Sequence, residues 1–334
     1  MRSAIGQLAV QLAVVAVAVV GLWVGARLLV DAVVRLARRF GLSDLTVGLT
    51  VVAMGTSTPE LSVTIDAALK GLGDLGVGNL LGSNIYNLAF ILGVVSLVRV
   101  IPVASSLVRR DGLALLASTA VGGVVLLDLS VTRAEGTALA LAFVAYTGYL
   151  LHTGTAVTDA SDGMTGANTS GGVEITREIT ERVQFRGRDG ALLVVGLAIV
   201  LVSGDALVAA ASGLARGAGV TEWVIGGTIV AAGTSTPEFA VSLVALRRGS
   251  LGVSVGNVVG SNVFNAVAIV GVAAVIRPLT VSPAALETLA WLAVVSVAMV
   301  TAMWTGRVLS RAEGALFACS EVLRWTLGLL GRFG

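Results

Sequence analysis

Apolar runs of about twenty residues follow one another along almost the whole chain, and each is long enough to cross a bilayer as a helix. Strict alternation of apolar and polar positions is absent, so a transmembrane barrel is not expected. The runs predict ten spans, over residues 5–38, 42–70, 74–99, 110–128, 134–152, 189–215, 220–246, 252–276, 282–304 and 310–330. The first run, Ile5 to Val34, is too long for a cleaved signal sequence and reads as a retained helix. One long polar stretch separates the fifth span from the sixth. Its first part, Thr153 to Gly172, is rich in Gly, Ser, Thr and Asp and reads as a flexible linker. Its second part, Val173 to Asp189, carries Glu174, Arg177, Glu178, Glu181 and Arg182 and reads as a short surface helix.

Superimposed on the apolar pattern are two polar blocks that occur twice. Ala53-Met-Gly-Thr-Ser-Thr-Pro-Glu60 recurs as Ala231-Ala-Gly-Thr-Ser-Thr-Pro-Glu238. Gly78-Asn-Leu-Leu-Gly-Ser-Asn-Ile-Tyr-Asn87 recurs as Gly256-Asn-Val-Val-Gly-Ser-Asn-Val-Phe-Asn265. Both pairs share one offset of 178 residues, which chance matching of apolar helices does not produce. The chain therefore divides into a first five-helix repeat over 1–152, a loop over 153–188 and a second five-helix repeat over 189–334. Five is odd, so the second repeat enters the membrane upside down. The expected fold is an all-α polytopic membrane protein of ten transmembrane helices arranged as two inverted five-helix repeats.

Charge adds an orientation. Counting loops alternately, the side without the termini collects fourteen arginines, among them Arg38, Arg39, Arg109, Arg110, Arg247 and Arg248, against six basic residues on the other. The positive-inside rule then puts both termini outside and the loop 153–188 in the cytoplasm of a cell-membrane protein. Composition agrees: 56% of residues are hydrophobic, only 13% are charged, and mean hydropathy is +0.94. A net charge of +2 spread over loops argues against nucleic acid as a partner. The single cysteine, Cys319, excludes an internal disulfide, and the single histidine, His152, sits at a helix end. That leaves no nucleophile and base for an enzyme, and no cofactor or obligatory protein partner is evident beyond the lipid bilayer.

The repeated blocks carry the chemistry. Glu60 and Glu238 fall near the middles of apolar spans, where an ionisable group costs roughly 2.5–3.5 kcal/mol on insertion scales and marks a functional site by default. Pro59 and Pro237 lack an amide hydrogen, so the carbonyls of Gly55 and Gly233 are expected to be free of helical partners. With Thr56, Ser57, Thr234 and Ser235 they form a set of oxygen ligands, suited to a hard cation such as calcium, which takes six to eight oxygens in general. Sulfur and imidazole are absent from the blocks, which disfavours zinc, copper or iron. Asn79, Ser83 and Asn87 share one helix face, repeated by Asn257, Ser261 and Asn265. Gly78, Gly82, Gly256 and Gly260 are spaced for close helix packing. Asp66 is expected near a helix end, and Arg27 and Asp205, at equivalent places with opposite charge, at the interface.

On these two Gly-Thr-Ser-Thr-Pro-Glu motifs, each followed by Gly-Asn-x-x-Gly-Ser-Asn, the sequence resembles the sodium/calcium exchanger family of the cation/calcium antiporter superfamily. The resemblance covers both halves. It implies that the second, third, seventh and eighth spans surround the ion sites and that the first and sixth slide against them as a gate. It implies calcium binding by Glu60, Glu238, Thr56 and Thr234. It implies sodium binding by Ser57, Ser235, Ser83, Ser261, the carbonyls of Ala53 and Ala231 and the same glutamates, with Asn87 and Asn265 completing the centre. The implied function is secondary active exchange of sodium for calcium by alternating access, in the direction of calcium export. A proton- or potassium-dependent cation exchanger is the nearest alternative and a passive channel a more distant one. Some relatives, including the potassium-dependent branch, have aspartate where this chain has Asn265, which argues against potassium co-transport.

Overall fold

The computed structural model of the protein describes residues 2–103, 107–154, 187–217 and 231–329. Most of the expected linker and surface helix, and the start of the expected seventh span, lie outside the described residues; 153–154 and 187–189 belong to the flanking helices.

A long helix α1 (Arg2–Arg39) opens the chain. The next apolar run is broken into α2 (Asp44–Val47), a π-helical turn (Gly48–Val52), α3 (Ala53–Thr56) and α4 (Thr58–Lys70). Then come α5 (Gly73–Ile85), a π-helical turn (Tyr86–Ile91) and α6 (Leu92–Val98) in one continuous rod. A further π-helical turn (Leu107–Gly112) leads into α7 (Leu113–Leu126), followed by α8 (Arg133–Gly154) and α9 (Gly187–Gly217). The second polar block builds α10 (Ala231–Thr234), α11 (Thr236–Arg247), α12 (Leu251–Val263), a π-helical turn (Phe264–Ile269) and α13 (Val270–Ile276). α14 (Ala284–Gly306) and α15 (Arg311–Leu329) complete the chain. The architecture is helical apart from four two-residue strands, β1 (Ile101–Pro102), β2 (Ser130–Val131), β3 (Leu279–Thr280) and β4 (Val308–Leu309).

Among the described residues, six helical stretches are long and apolar enough to cross a membrane: 9–37, 73–98, 133–153, 187–207, 251–276 and 284–306. Two of them are central. In 73–98 and 251–276 the most apolar stretch is 72% and 78% buried, against 17–33% for the other four. Those four, with α7 and α15, turn apolar side chains such as Val124, Val144, Val202, Val294 and Leu316 outward. An exposed apolar surface of this extent requires lipid rather than water around it. This is a multi-pass membrane protein.

The halves interlock reciprocally. β1 pairs with β4 and β2 with β3, so positions 178 apart exchange partners: Ile101 faces Leu309 while Leu279 faces Val131. The same exchange places Gly314 of α15 against the Gly93 carbonyl of α6, and Gly136 of α8 against the Gly271 carbonyl of α13. A Cβ at Gly136 would stand 2.7 Å from that carbonyl, so each crossing depends on the missing side chain. α1 and α9 run along each other as a separate pair, with Gly25 and Gly196 in backbone contact.

Of the expected close-packing glycines, Gly256 and Gly260 behave as such. A Cβ would stand 2.6 Å from the Leu45 carbonyl at the first and 2.7 Å from Leu49 Cα at the second. At Gly78 nothing described lies within 4 Å of a Cβ, and the positions equivalent to Leu45 and Leu49 in the second half are outside the described residues. Asp66 is at an exposed helix end, 2.6 Å from Lys70 one turn on. Arg27 lies over the Trp23 ring at 4.4 Å and Asp205 is exposed, as side chains reaching the interface would be.

A candidate ion-binding centre

The second apolar run breaks at Ser57, whose backbone (φ −80°, ψ 15°) leaves the helical region, and the second half breaks identically at Ser235 (φ −88°, ψ 7°). Such bridge-region residues recur at active sites. Proline causes the break, but by starting a new helix rather than by opening an old one. Pro59 and Pro237 lie in the first turns of α4 and α11, where no amide hydrogen is needed. The carbonyl of Gly55 is not left free as the sequence led us to expect. The hydroxyl of Thr58 donates to it at 2.7 Å, and in the second half Thr236 donates to Ala232 at 3.0 Å. In the first half a short hydroxyl side chain thus satisfies the carbonyl that proline orphans, whereas Thr236 reaches the carbonyl one residue before its equivalent, Gly233.

Each new helix carries its glutamate in the first turn, beside the positive end of the helix dipole. Glu60 and Glu238 are both fully buried. Each is held from the opposite half: Ser57 donates to Oε1 of Glu238 at 2.8 Å, and Ser235 donates to Oε1 of Glu60 at 3.1 Å. Ser261 adds a second donor to Glu238 at 3.3 Å and also faces the Ala53 carbonyl at 3.5 Å. Oε2 of each glutamate is buried without a hydrogen-bond partner among the described residues. No arginine or lysine among those residues pairs with either carboxylate. Buried carboxylates so placed need a counter-charge from outside the chain.

A second reciprocal layer surrounds them. Thr56 donates to Oδ1 of Asn257 at 3.0 Å, and Thr234 donates to Oδ1 of Asn79 at 3.3 Å while lying 3.3 Å from the Ser83 hydroxyl. Asn257 passes its amide hydrogens to the Glu238 carbonyl at 3.2 Å and to Ser242 at 3.1 Å. Asn87 and Asn265 sit in the π-helical turns, both fully buried, with both polar atoms of Asn87 and Oδ1 of Asn265 unpartnered among the described residues. π-helical turns are frequent at functional sites because one extra residue re-aims the side chains that follow. The Ala53 carbonyl is engaged by the Ser57 amide at 3.0 Å as well as by Ser261, and Ala231 holds the equivalent place at the start of α10.

The structure therefore gathers Glu60, Glu238, Ser57, Ser261 and Ala53 in one direct network with Ser235. Thr56 adjoins it through Asn257, while Thr234, Ser83 and Asn79 form their own hydrogen-bonded group. No group of three or more His, Cys, Asp or Glu residues occurs among the described residues, so the charge at this centre is that of two carboxylates. Two residues with a part in the geometry escape the sequence reading, Asn84 and Asn262. They stand inside the quoted Gly-Ser-Asn blocks, yet helical periodicity puts them off the face of Asn79, Ser83 and Asn87. What brings Asn84 to Asn265 is the contact between the two halves, which spacing within one helix does not report.

Known proteins with the same pattern were found at three levels. The family model described as sodium/calcium exchanger protein matches residues 10–152 and 190–320. A putative antiporter, CaxA of Alkalimonas amylolytica, is 36% identical over 250 residues, covering 75% of this chain and 76% of that protein. The sodium/calcium exchanger MaX1 of Methanosarcina acetivorans is 28% identical over 306 residues, covering 84% of this chain and 87% of its own. Among solved structures, the sodium-calcium exchanger NCX_Mj soaked in sodium without calcium superimposes with a TM-score of 0.78 at 25% identity, over 96% of this chain and 99% of that one.

Proposed function

This chain belongs to the sodium/calcium exchanger protein family, a family of transporters rather than enzymes, and on that premise we propose that it exchanges sodium for calcium across a cell membrane through the centre formed by Glu60 and Glu238. The observation that carries the reading is the reciprocal clasp of each buried carboxylate by a serine of the other half, with the second oxygen of each left for a cation. Calcium is the substrate of Glu60, Glu238, Thr56 and Thr234. Sodium is the substrate of Ser57, Ser235, Ser83, Ser261, the Ala53 and Ala231 carbonyls and the same glutamates, with Asn87 and Asn265 completing the centre.

Electrostatics supplies the coupling. Two carboxylates in a low-dielectric core repel and favour any state in which cations neutralise them. One calcium ion does so, and so does a load of sodium ions. Because the two loads use the same oxygens they exclude each other, and only a neutralised centre passes the membrane readily. The inward sodium gradient then drives calcium out. Ten spans, in two inverted repeats over 1–152 and 189–334 joined by the loop 153–188, place the two glutamates at one depth despite opposite chain directions. The exchange of partners between β1–β4 and β2–β3 supports that arrangement.

The test imposes one gradient at a time. Proteoliposomes loaded with calcium are given an opposing sodium, potassium or proton gradient, and radioactive calcium efflux is followed. Efflux driven by sodium alone is expected. Efflux that needs potassium, or follows protons without sodium, would replace this reading with one of the other two.

Orientation gives a further expected outcome. With Cys319 replaced by serine, a cysteine at Phe40, which is 58% exposed, is labelled by an impermeant thiol reagent only in opened cells. A cysteine at Leu72, 49% exposed, is labelled from outside. The reverse pattern would invert the assignment of the termini to the outside.

The α1–α9 pair packs unequally on the two halves. α1 lies along α11, whereas α9 has no comparable packing on α4, its equivalent. Asp31 of α1 pairs with Arg248, just beyond α11, at 3.0 Å. The repeat equivalent of Arg248, Lys70, pairs instead with Asp66 on its own helix. The Asp31–Arg248 pair thus ties α1 to α11 on the arginine-rich side, which is cytoplasmic under the proposed orientation. Both partners of the Asp31–Arg248 pair are more than a third exposed, so the pair contributes no more than about 1 kcal/mol. Arg248→Gln is expected to speed thiol labelling of a cysteine at Ala245, which α1 covers, by at most about fivefold. Unchanged labelling would deny the pair any part in closure.

A further inference from the structure

We infer that Asn84 is a positioning residue for ion binding: it locks the Asn265 amide so that its oxygen, not its nitrogen, is the atom offered to the ion centre. The inference deepens the proposed exchange function and rests on it.

The chain of donors has a fixed sense. Asn84 Nδ2 lies 3.2 Å from the backbone carbonyl of Asn262. A carbonyl only accepts, so the nitrogen of the Asn84 amide must be the atom facing it. The Asn84 oxygen then faces Asn265 at 3.0 Å, and because that oxygen only accepts, Asn265 must present its nitrogen. Oδ1 of Asn265 is what remains, buried and unpartnered among the described residues. It stands one turn beyond Ser261, which donates to Glu238. A backbone carbonyl of one half thus fixes, through Asn84, the polarity of a side chain in the centre. Reversing Asn265 would set its oxygen against the Asn84 oxygen and point two N–H donors at a site for cations.

The other half has no such lock. Asn262 is the repeat equivalent of Asn84, yet its nitrogen goes to the Val258 carbonyl of its own helix at 2.8 Å. Asn87, the equivalent of Asn265, has neither polar atom engaged among the described residues. The two halves, symmetric at the glutamates and serines, differ here: Asn265 is a preset oxygen ligand, and no such bond holds Asn87 among the described residues. A preset ligand loses less freedom on binding, which raises affinity without a new contact.

The test is a double-mutant cycle on the purified, full-length exchanger, reading calcium binding by calorimetry and the half-saturating calcium concentration for sodium-driven flux. Asn84→Ala is expected to weaken calcium about tenfold, the effect of one neutral ligand misdirected, with maximal flux much less affected. In an Asn265→Ala background, which lacks the oxygen altogether, Asn84→Ala is expected to change binding by less than about twofold. Asn262→Ala is expected to leave calcium binding within about twofold, because alanine keeps the backbone carbonyl that holds Asn84 and only a side chain bonded within its own helix is lost. If Asn84→Ala does not fold, Asn84→Ser, too short to reach Asn265 and Asn262 together, takes its place in the cycle. Additive losses at Asn84 and Asn265, with exchange intact in the unaltered protein, would overturn the role of Asn84 alone. Absence of sodium-driven calcium flux in the unaltered protein would overturn the exchange reading and this inference with it.

Discussion

Glu60→Gln and Glu238→Gln are each expected to abolish calcium exchange while the purified protein keeps its helical content and its elution volume. Glutamine keeps the shape of glutamate and still accepts from Ser235 or Ser57, so the clasp across the halves survives. What goes is one negative charge. At about 4 Å and an effective dielectric constant of about 20, a unit charge interacts with another by roughly 4 kcal/mol, and with a divalent ion by more. Even the smaller figure is roughly a thousandfold in affinity. Calcium needs both carboxylates for neutrality, whereas a single sodium ion is matched by one, so residual sodium binding is expected where calcium binding is lost. Radioactive calcium uptake into sodium-loaded proteoliposomes measures this. Exchange in either variant above a tenth of that of the unaltered protein would remove that glutamate from the ion centre.

That the two glutamates belong together was legible in the chain because a carboxylate inside an apolar span is conspicuous and the 178-residue repeat shows it twice. The hydroxyl and amide residues around them were legible by proximity to the same motif. Their partners were not. The bond from Ser57 to Glu238 joins residues 181 apart, and nothing local distinguishes it from a bond to the nearer Glu60. The Gly55 carbonyl illustrates the opposite failure. Proline predicts correctly that it loses a helical donor, but the hydroxyl of Thr58 supplies another, and the choice depends on a side-chain rotamer. The π-helical turns at Gly48–Val52, Tyr86–Ile91 and Phe264–Ile269 leave no compositional trace either, since they are single-residue shifts of an apolar pattern. They matter because Asn87 and Asn265 lie within two of them. The long apolar spans were the most legible part. Their burial order was not, because a lipid-facing helix and a core helix of a membrane protein are both apolar throughout. Only the glycines and amides of 73–98 and 251–276 hint that these two are central.

The glycines supply the second large effect. Gly260→Val is expected to abolish exchange by parting α12 from the broken helix that carries half of the centre. A Cβ at Gly260 would stand 2.7 Å from Leu49 Cα and 2.8 Å from Ala53 Cβ, with the Leu49 carbonyl closer still. Two of those neighbours are backbone, so no rotamer change relieves the overlap. Overpacking of this kind costs about 1–3 kcal/mol where the structure can adjust. Here adjustment means moving α12 outward, and Ser261, the next residue, then leaves both Glu238 and the Ala53 carbonyl. Activity is expected to fall further than stability, because the site depends on that separation to within a few tenths of an ångström. Gly78, the repeat equivalent of Gly256, provides the contrast. A Cβ there meets nothing described within 4 Å, and Gly78→Ala is expected to transport normally and to unfold no earlier, since alanine is the better helix former by about 1 kcal/mol. Thermal unfolding in detergent together with calcium flux separates the two cases. Gly260→Val with normal flux would mean that α12 is not held against Leu49 and Ala53 in the working protein, and the position of Ser261 in the centre would fall with it.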